Sequence, residues 1–172
     1  MLEVKNLSKE FENRLFSREK IQAVKNVSFS IPCGKTVGIA GNSGCGKSTL
    51  ARMIAGLLQP TSGQILFEGQ DIENAWKRKE RSCRIQMIFQ HPENALDPSM
   101  RIRDSLLEPL YIHRLFRDKK GMEKKLSEVM ELAHIEEELL GRYPHQISGG
   151  EAQRVCIGRM LMLNPSLVLL DE

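Results

Sequence analysis

A chain of 172 residues has the length of one ordinary globular domain, and a domain of that size buries roughly 70% of the surface its unfolded chain exposes. With 41% hydrophobic and 27% charged residues, 13 Gly and 7 Pro, the composition excludes collagen-like, disulfide-framework and low-complexity disordered classes. Lys plus Arg is 25 against 22 for Asp plus Glu, and the resulting net charge of +3 is too weak a field to point to nucleic acid by itself.

In chain order, Leu2 to Leu7 alternates weakly and Ala23 to Ile31 alternates clearly, so both predict strands, joined by a polar, basic connection. Thr36 to Ala40 is a short apolar run that predicts a third strand. It stops at a glycine-rich loop, beyond which Leu50, Met53, Ile54, Leu57 and Leu58 recur at helical spacing from Ser48 onward. Gln59 to Gly63 carries breaker residues, and Gln64 to Phe67 and Arg84 to Phe89 predict two further strands. The chain turns helical after Pro98. Leu126, Val129, Met130, Ala133 and Ile135 predict one amphipathic helix from Glu123 to Leu140. Gly149 to Leu163 predicts another helix, and Leu167 to Leu170 a buried strand ending in Asp171 and Glu172.

Gly41-Asn42-Ser43-Gly44-Cys45-Gly46-Lys47-Ser48-Thr49 satisfies the pattern G-x-x-x-x-G-K-[ST] between a predicted strand and a predicted helix. The glycines allow successive N–H groups to turn inward around an anion, and the positive end of the following helix reinforces the cradle. Lys47 then serves β and γ phosphates as a point charge. The Ser48 hydroxyl is the expected ligand of Mg²⁺.

Leu167 to Leu170 delivers Asp171 and Glu172 at a strand's carboxyl end, where ligands of open parallel α/β sheets bind. Asp171 is expected to hold Mg²⁺ through water, and Glu172 to orient or deprotonate an attacking water as general base. Further back, Ile147-Ser148-Gly149-Gly150-Glu151 predicts a capping box, with Ser148 at the N-cap and Glu151 reaching back to its N–H. Two bare glycines at that helix start expose N–H groups to either water or a second phosphate.

Cys33, Cys45, Cys83 and Cys156 form no C-x-x-C pair and predict free thiols in a reducing compartment. No apolar run approaches the roughly 20 residues of a membrane-spanning helix, and Met1 to Lys5 has no signal-peptide pattern. The expected location is cytoplasmic. The basic cluster Lys77 to Arg81 with Arg84, beside Trp76, predicts a solvated helix face. His91, His113, His134 and His145 lack metal-ligand spacing.

Taken together, these motifs resemble the nucleotide-binding subunit of ATP-binding-cassette transporters across the whole chain. Gly41 to Thr49 looks like the Walker A loop, Phe89-Gln90 the Q-loop, Ile147 to Glu151 the signature, and Leu167 to Glu172 the Walker B strand with its catalytic glutamate. Phe11 aligns with the aromatic that stacks on adenine, with Phe16 an alternative in the long connection. The extended first hairpin, Phe89-Gln90-His91-Pro92 with Ala95-Leu96-Asp97-Pro98, and Arg142-Tyr143-Pro144-His145 are similar to the oligopeptide, dipeptide and nickel importer branch.

The resemblance implies an α/β fold of P-loop NTPase type in a single cassette over 1–172. A RecA-like core with an antiparallel β subdomain would take 1–90 and 160–172, and an inserted helical subdomain 91–159. It implies ATP and Mg²⁺ as ligands, Lys47, Gln90 and Glu172 as catalytic groups, and Ser48, Gln90 and Asp171 around the metal. Ser148, Gly149, Gly150 and Glu151 would serve the ATP of a second ATPase subunit, identical or not. Two membrane-spanning permease subunits and, indirectly, an extracytoplasmic solute-binding protein complete the implied assembly. It would sit peripherally on the cytoplasmic face of the inner or plasma membrane, with no nucleic acid partner.

Ile147 and Glu151 stand where the family usually has Leu and Gln, which keeps the capping box and adds a negative charge. The chain stops at its expected catalytic base, before the family's D-loop and switch histidine, which predicts a truncated cassette. The alternatives to a peptide or nickel importer are a soluble cassette ATPase of translation or DNA repair, and an ATP-binding fragment that does not hydrolyse.

Overall fold

The computed structural model describes residues 1–12, 20–116 and 118–171. Phe16 and Glu172, both singled out in the sequence, lie outside the described residues. The chain resolves into two units, residues 1–81 and 82–172.

In the first unit, β1 (Leu2–Glu12) pairs antiparallel with β2 (Lys20–Ile31) on one side and β3 (Ser62–Phe67) on the other, and β4 (Gln70–Asp71) extends the sheet in the order β2-β1-β3-β4. Leu2 faces Ile31, Val4 faces Phe29, and Phe11 faces Ile21. The weak alternation of the first strand has a structural cause: the register shifts between Val4 and Leu7, so Leu2, Val4 and Leu7 all reach the core despite their uneven spacing. Asn6 and Asn26 take the left-handed conformation at φ 49° and 47°. Their displaced N–H groups are satisfied across the hairpin, Asn6 donating to Ser28 Oγ at 2.8 Å and Asn26 to Ser8 Oγ at 2.9 Å.

Residues 36–40, expected to be a strand, form no ladder among the described residues, and Val37 and Ile39 are exposed. An apolar run becomes a strand only where a neighbour accepts its N–H and C=O groups, and no described strand does so here. The helix α1 (Lys47–Ile54) also stops earlier than its apolar periodicity predicts. Gly56 at φ +70° closes it with a bond from its N–H to the Met53 carbonyl, which leaves Leu57 outside and exposed. Leu50, Met53 and Ile54 are the buried face of α1. Trp76, beside the basic cluster, is buried, edge-on to Phe67 and hydrogen-bonded from Nε1 to Gln70 Oε1 at 2.7 Å. Arg81 is likewise anchored, donating to Glu73 Oε1 at 2.9 Å and to the Gly56 carbonyl at 3.2 Å.

The short helix α2 (Arg78–Arg84) leads into the second unit, where β5 (Ile85–Ile88) and β6 (Leu167–Leu170) form a parallel pair, Ile85 opposite Leu167 and Ile88 opposite Leu170. Between them in sequence come α3 (Ile102–His113), α4 (Lys119–Leu132) and α5 (Gly149–Leu161). Ile102, Leu106 and Leu110 of α3, Leu126 and Val129 of α4, and Ala152 and Val155 of α5 form one core with Ile135, Leu139 and Met162. Each of the Leu, Ile, Val and Met side chains contributes roughly 1.5–3 kcal/mol on burial. Gly158 brings α5 close to its neighbours, since a Cβ there would lie 2.7 Å from Ile135 Cδ1 and 3.1 Å from Leu106 Cδ2.

The single helix expected over residues 123–140 is two elements. The α-helix begins earlier, capped by Asp118, whose carboxylate accepts from the Gly121 N–H at 2.9 Å, and it ends at Leu132. His134 at φ 51° turns the chain, and Glu137–Gly141 continues as a 3-10 turn. Ala133, Ile135 and Leu139 still reach the core, so apolar spacing survived a break that it did not reveal.

Candidate nucleotide-binding site

The loop from Gly41 to Gly46 enters α1 through two left-handed glycines, Gly44 at φ +78° and Gly46 at φ +100°. Gly46 is the N-cap and its carbonyl accepts the first helical bond, from the Leu50 N–H at 2.9 Å. A Cβ on Gly46 would lie 2.2 Å from the Ala23 carbonyl oxygen of β2, so backbone conformation and space both require glycine. Gly41 is also constrained, because a Cβ there would lie 2.6 Å from Cys45 Sγ.

Lys47 Nζ bends back over the loop, donating to the Gly41 carbonyl at 2.8 Å and the Asn42 carbonyl at 3.0 Å. No acidic residue stands in the first turn of α1, whose leading N–H groups lack intrahelical acceptors. Exposed residues 41–44, the positive end of α1 and the Lys47 ammonium make an anion cradle with the chemistry of a polyphosphate site. The hairpin that backs Gly46 also carries Phe11, half-exposed opposite Ile21, with Lys9 Nζ 5.3 Å from its ring centroid.

In the second unit, the carboxyl ends of β5 and β6 come together. The Asp171 N–H donates to the Ile88 carbonyl at 3.0 Å, which sets Asp171 next to the strand end that leads through exposed Phe89 to Gln90. Asp171 and Gln90 thus leave adjacent parallel strands at the same end. The groups expected around Mg²⁺, the Ser48 hydroxyl, the Gln90 amide oxygen and the Asp171 carboxylate, are all oxygen donors, as that ion requires.

The capping box at the start of α5 forms as its sequence predicts. Ser148 Oγ accepts from the Glu151 N–H at 3.3 Å, and Glu151 Oε2 accepts from the Ser148 N–H at 2.6 Å and its hydroxyl at 2.7 Å. The Ser148 hydroxyl and N–H hold the Glu151 carboxyl below the usual carboxylate range. Gly149 has open space where a Cβ would be. This turn leaves bare, positively polarised backbone exposed at the start of α5.

Sequence reasoning missed what steadies that turn. Arg101, just before α3, donates from Nη1 to the Gly141 carbonyl at 3.1 Å and lies 5.4 Å from the Tyr143 ring centroid. The Ile102 N–H donates to the Arg142 carbonyl at 2.9 Å, and Tyr143 stacks on His145. Arg159 of α5 similarly pairs with Glu108 of α3 and donates to the Ala95 carbonyl at 3.0 Å. Apart from the local Tyr143–His145 stack, the partners are 40 to 64 residues apart, beyond any local pattern.

The phosphate-type loop at the start of α1 and the parallel strand pair ending in Gln90 and Asp171 define a P-loop nucleotide-binding cassette. Residues 24–172 match the family model described as ABC transporter, and the chain belongs to that family. It is 42% identical over 179 aligned positions to the oligopeptide transport ATP-binding protein AppF of Bacillus subtilis, covering all of this chain and 54% of AppF. It is 39% identical over 155 positions to the di/tripeptide transport ATP-binding protein DppF of Pseudomonas aeruginosa, covering 89% of this chain and 48% of DppF. The chain therefore spans about half the length of these relatives. Among solved structures, a dimeric ATP-binding cassette in a post-hydrolysis state with ADP and Pi superposes with a TM-score of 0.85 at 32% identity, over all of this chain and 74% of that one.

Proposed function

We propose that this chain is part of the ATP-hydrolysing, energy-coupling subunit of a membrane importer for peptides. The observation that carries the reading is the loop geometry at Gly46 and Lys47, an anion cradle built on two left-handed glycines, in a chain whose relatives are named as peptide-transport ATP-binding proteins. Those names favour peptides over nickel and transport over a soluble role.

In this reading the N–H groups of residues 41–49 and the Lys47 ammonium bind the phosphates of ATP, and Phe11 stacks on its base. Ser48, Gln90 and Asp171 hold Mg²⁺, which neutralises phosphate charge when bound. Glu172 takes a proton from the attacking water. Ser148, Gly149 and Gly150, in a turn capped by Glu151, serve the γ-phosphate of ATP on a second ATPase subunit, so ATP joins two subunits and its hydrolysis releases them. Residues 91–159 act as the helical subdomain beside a core of 1–90 and 160–172. Gln90 links the site to the surface that meets two membrane-spanning permease subunits, with a solute-binding protein outside, and the protein sits peripherally on the cytoplasmic face.

The test is affinity purification of the full-length protein from detergent-solubilised membranes with mass spectrometry of its partners. Two polytopic membrane proteins, a related ATPase and a solute-binding protein are expected. Recovery of ribosomes, DNA or soluble partners alone overturns the transport reading and leaves the ATPase chemistry standing. That chemistry is tested by Glu172→Gln in the full-length protein, expected to bind ATP and trap the closed dimer. Normal turnover by this variant excludes Glu172 as the base.

A further inference from the structure

The end of α3 and the start of α4 carry a surface that the fold itself does not use. α3 closes in a left-handed turn at Arg114, φ 54°, whose N–H donates to the Tyr111 carbonyl at 3.2 Å, while the Leu115 N–H donates to the Leu110 carbonyl at 3.2 Å. In a turn of this kind the apolar residue beyond the cap ordinarily packs back on its helix. Here Tyr111, Ile112, Leu115 and Phe116 are instead 37% to 59% exposed. A Cβ on Gly121 would lie 2.7 Å from Phe116 Cδ1, so the apolar turn runs on into the first turn of α4.

The charge around these side chains is basic. Arg114, Lys119, Lys120 and Lys124 are exposed and Lys125 is half-buried. Among the described residues Arg114, Lys119, Lys120 and Lys125 make no ion pair, and Lys124 has a 3.9 Å contact with Glu128 on the exposed face of α4. The acids within this stretch are committed elsewhere, Asp118 to the Gly121 N–H and Glu123 to Arg103. Helix stability does not call for the lysines: Lys119 and Lys120 open α4, which has no acidic residue in its first turn, and cations at the positive end of a helix oppose its dipole.

We propose that this surface docks on an anionic lipid bilayer. Arg114 and the lysines meet headgroup phosphates, and Tyr111, Ile112, Leu115 and Phe116 enter the boundary between headgroups and acyl chains. The mixture of side chains selects the occupant. A nucleic acid backbone would satisfy the cations and leave the aliphatic groups in water, whereas an apolar protein groove would bury the cations unpaired. A bilayer surface accepts both, and neither signal alone holds a protein there firmly. The inference depends neither on nucleotide binding nor on the importer reading.

The experiment mixes the full-length protein, without permease subunits, with sedimentable vesicles of phosphatidylcholine alone or with about 30% phosphatidylglycerol, and measures the bound fraction. Binding is expected to the anionic vesicles only, falling about tenfold or more between about 0.05 M and about 0.5 M NaCl. Lys120→Glu is expected to weaken it about tenfold and Leu115→Ser about fivefold, whereas Lys25→Glu, the same charge change on exposed β2, stays within about twofold of wild type. Glutamate suits the first turn of a helix, so loss of binding by Lys120→Glu is not loss of fold. The inference is overturned by absent binding, by equal binding to both vesicle types, or by wild-type binding in either Lys120→Glu or Leu115→Ser. A DNA duplex bound as tightly as anionic vesicles, with no loss in Leu115→Ser, would assign the cations to nucleic acid instead. Dimerisation lost in Leu115→Ser, without vesicle binding, would assign the turn to a second copy of the chain.

Discussion

Gly46 and Ala23 approach so closely that the second residue's carbonyl oxygen occupies the space of a Cβ on the first, at 2.2 Å. The last glycine of the loop is thereby fixed against β2, and the orientation of the first turn of α1 follows from the sheet. Gly46→Ala is expected to cost about 2 kcal/mol or more, combining a left-handed alanine with a backbone clash. Urea unfolding measures it, and an unchanged midpoint would show that the loop is not seated on β2.

Lys47 makes its hydrogen bonds to the loop's own carbonyls, Gly41 and Asn42, so removing its charge should spare the fold and remove the ligand contact. For the wild type, Mg-ATP at a hundred times its dissociation constant should stabilise the protein by about 2.7 kcal/mol. Lys47→Ala is expected to lose nearly all of that gain while its stability without nucleotide stays within about 0.5 kcal/mol of wild type. Thermal unfolding with and without Mg-ATP provides the comparison.

Ser105 is buried in α3, and its Oγ has no hydrogen-bond partner among the described residues. A hydroxyl desolvated without compensation opposes folding, and alanine suits a helix better. Ser105→Ala is therefore expected to stabilise the protein by about 1 kcal/mol, read by chemical denaturation. A loss of stability would mean that the hydroxyl is satisfied in solution.

Hydrogen bonds from Ser148 depress the Glu151 carboxyl from an ordinary value near 4.5. Because the folded value is the lower one, the cap's contribution is complete above the unfolded value and disappears as pH falls through the folded value. Glu151→Gln keeps an oxygen for the Ser148 N–H and removes the charge, so its stability should vary less with pH below about 4.5 than wild type. Carboxyl NMR across that range follows the group directly, and an undisplaced titration would contradict the capping geometry.

Gly158 admits α5 to close contact with Leu106 and Ile135. Gly158→Val is expected to cost roughly 1–3 kcal/mol by overpacking. Calorimetry of the variant checks this, and an unaltered unfolding temperature would show that the helices have room to separate.

The local sequence by itself determined the loop, the cap and the apolar faces. Glycine at positions 44 and 46, lysine at 47 and the Ser148–Glu151 pair act within a few residues, and such chemistry is written in adjacent letters. Helix faces were legible for the same reason, through positions such as Leu126 and Val129. Tertiary structure decided whether apolar runs became strands, because a ladder needs a partner: residues 167–170 found one in β5, whereas 36–40 pair with no described strand. It also decided where the helix after Asp118 ended, through the left-handed turn at His134. The Arg101–Tyr143, Arg159–Glu108 and Cys83–His113 contacts came from folding alone, since no spacing rule brings together residues 30 to 51 positions apart.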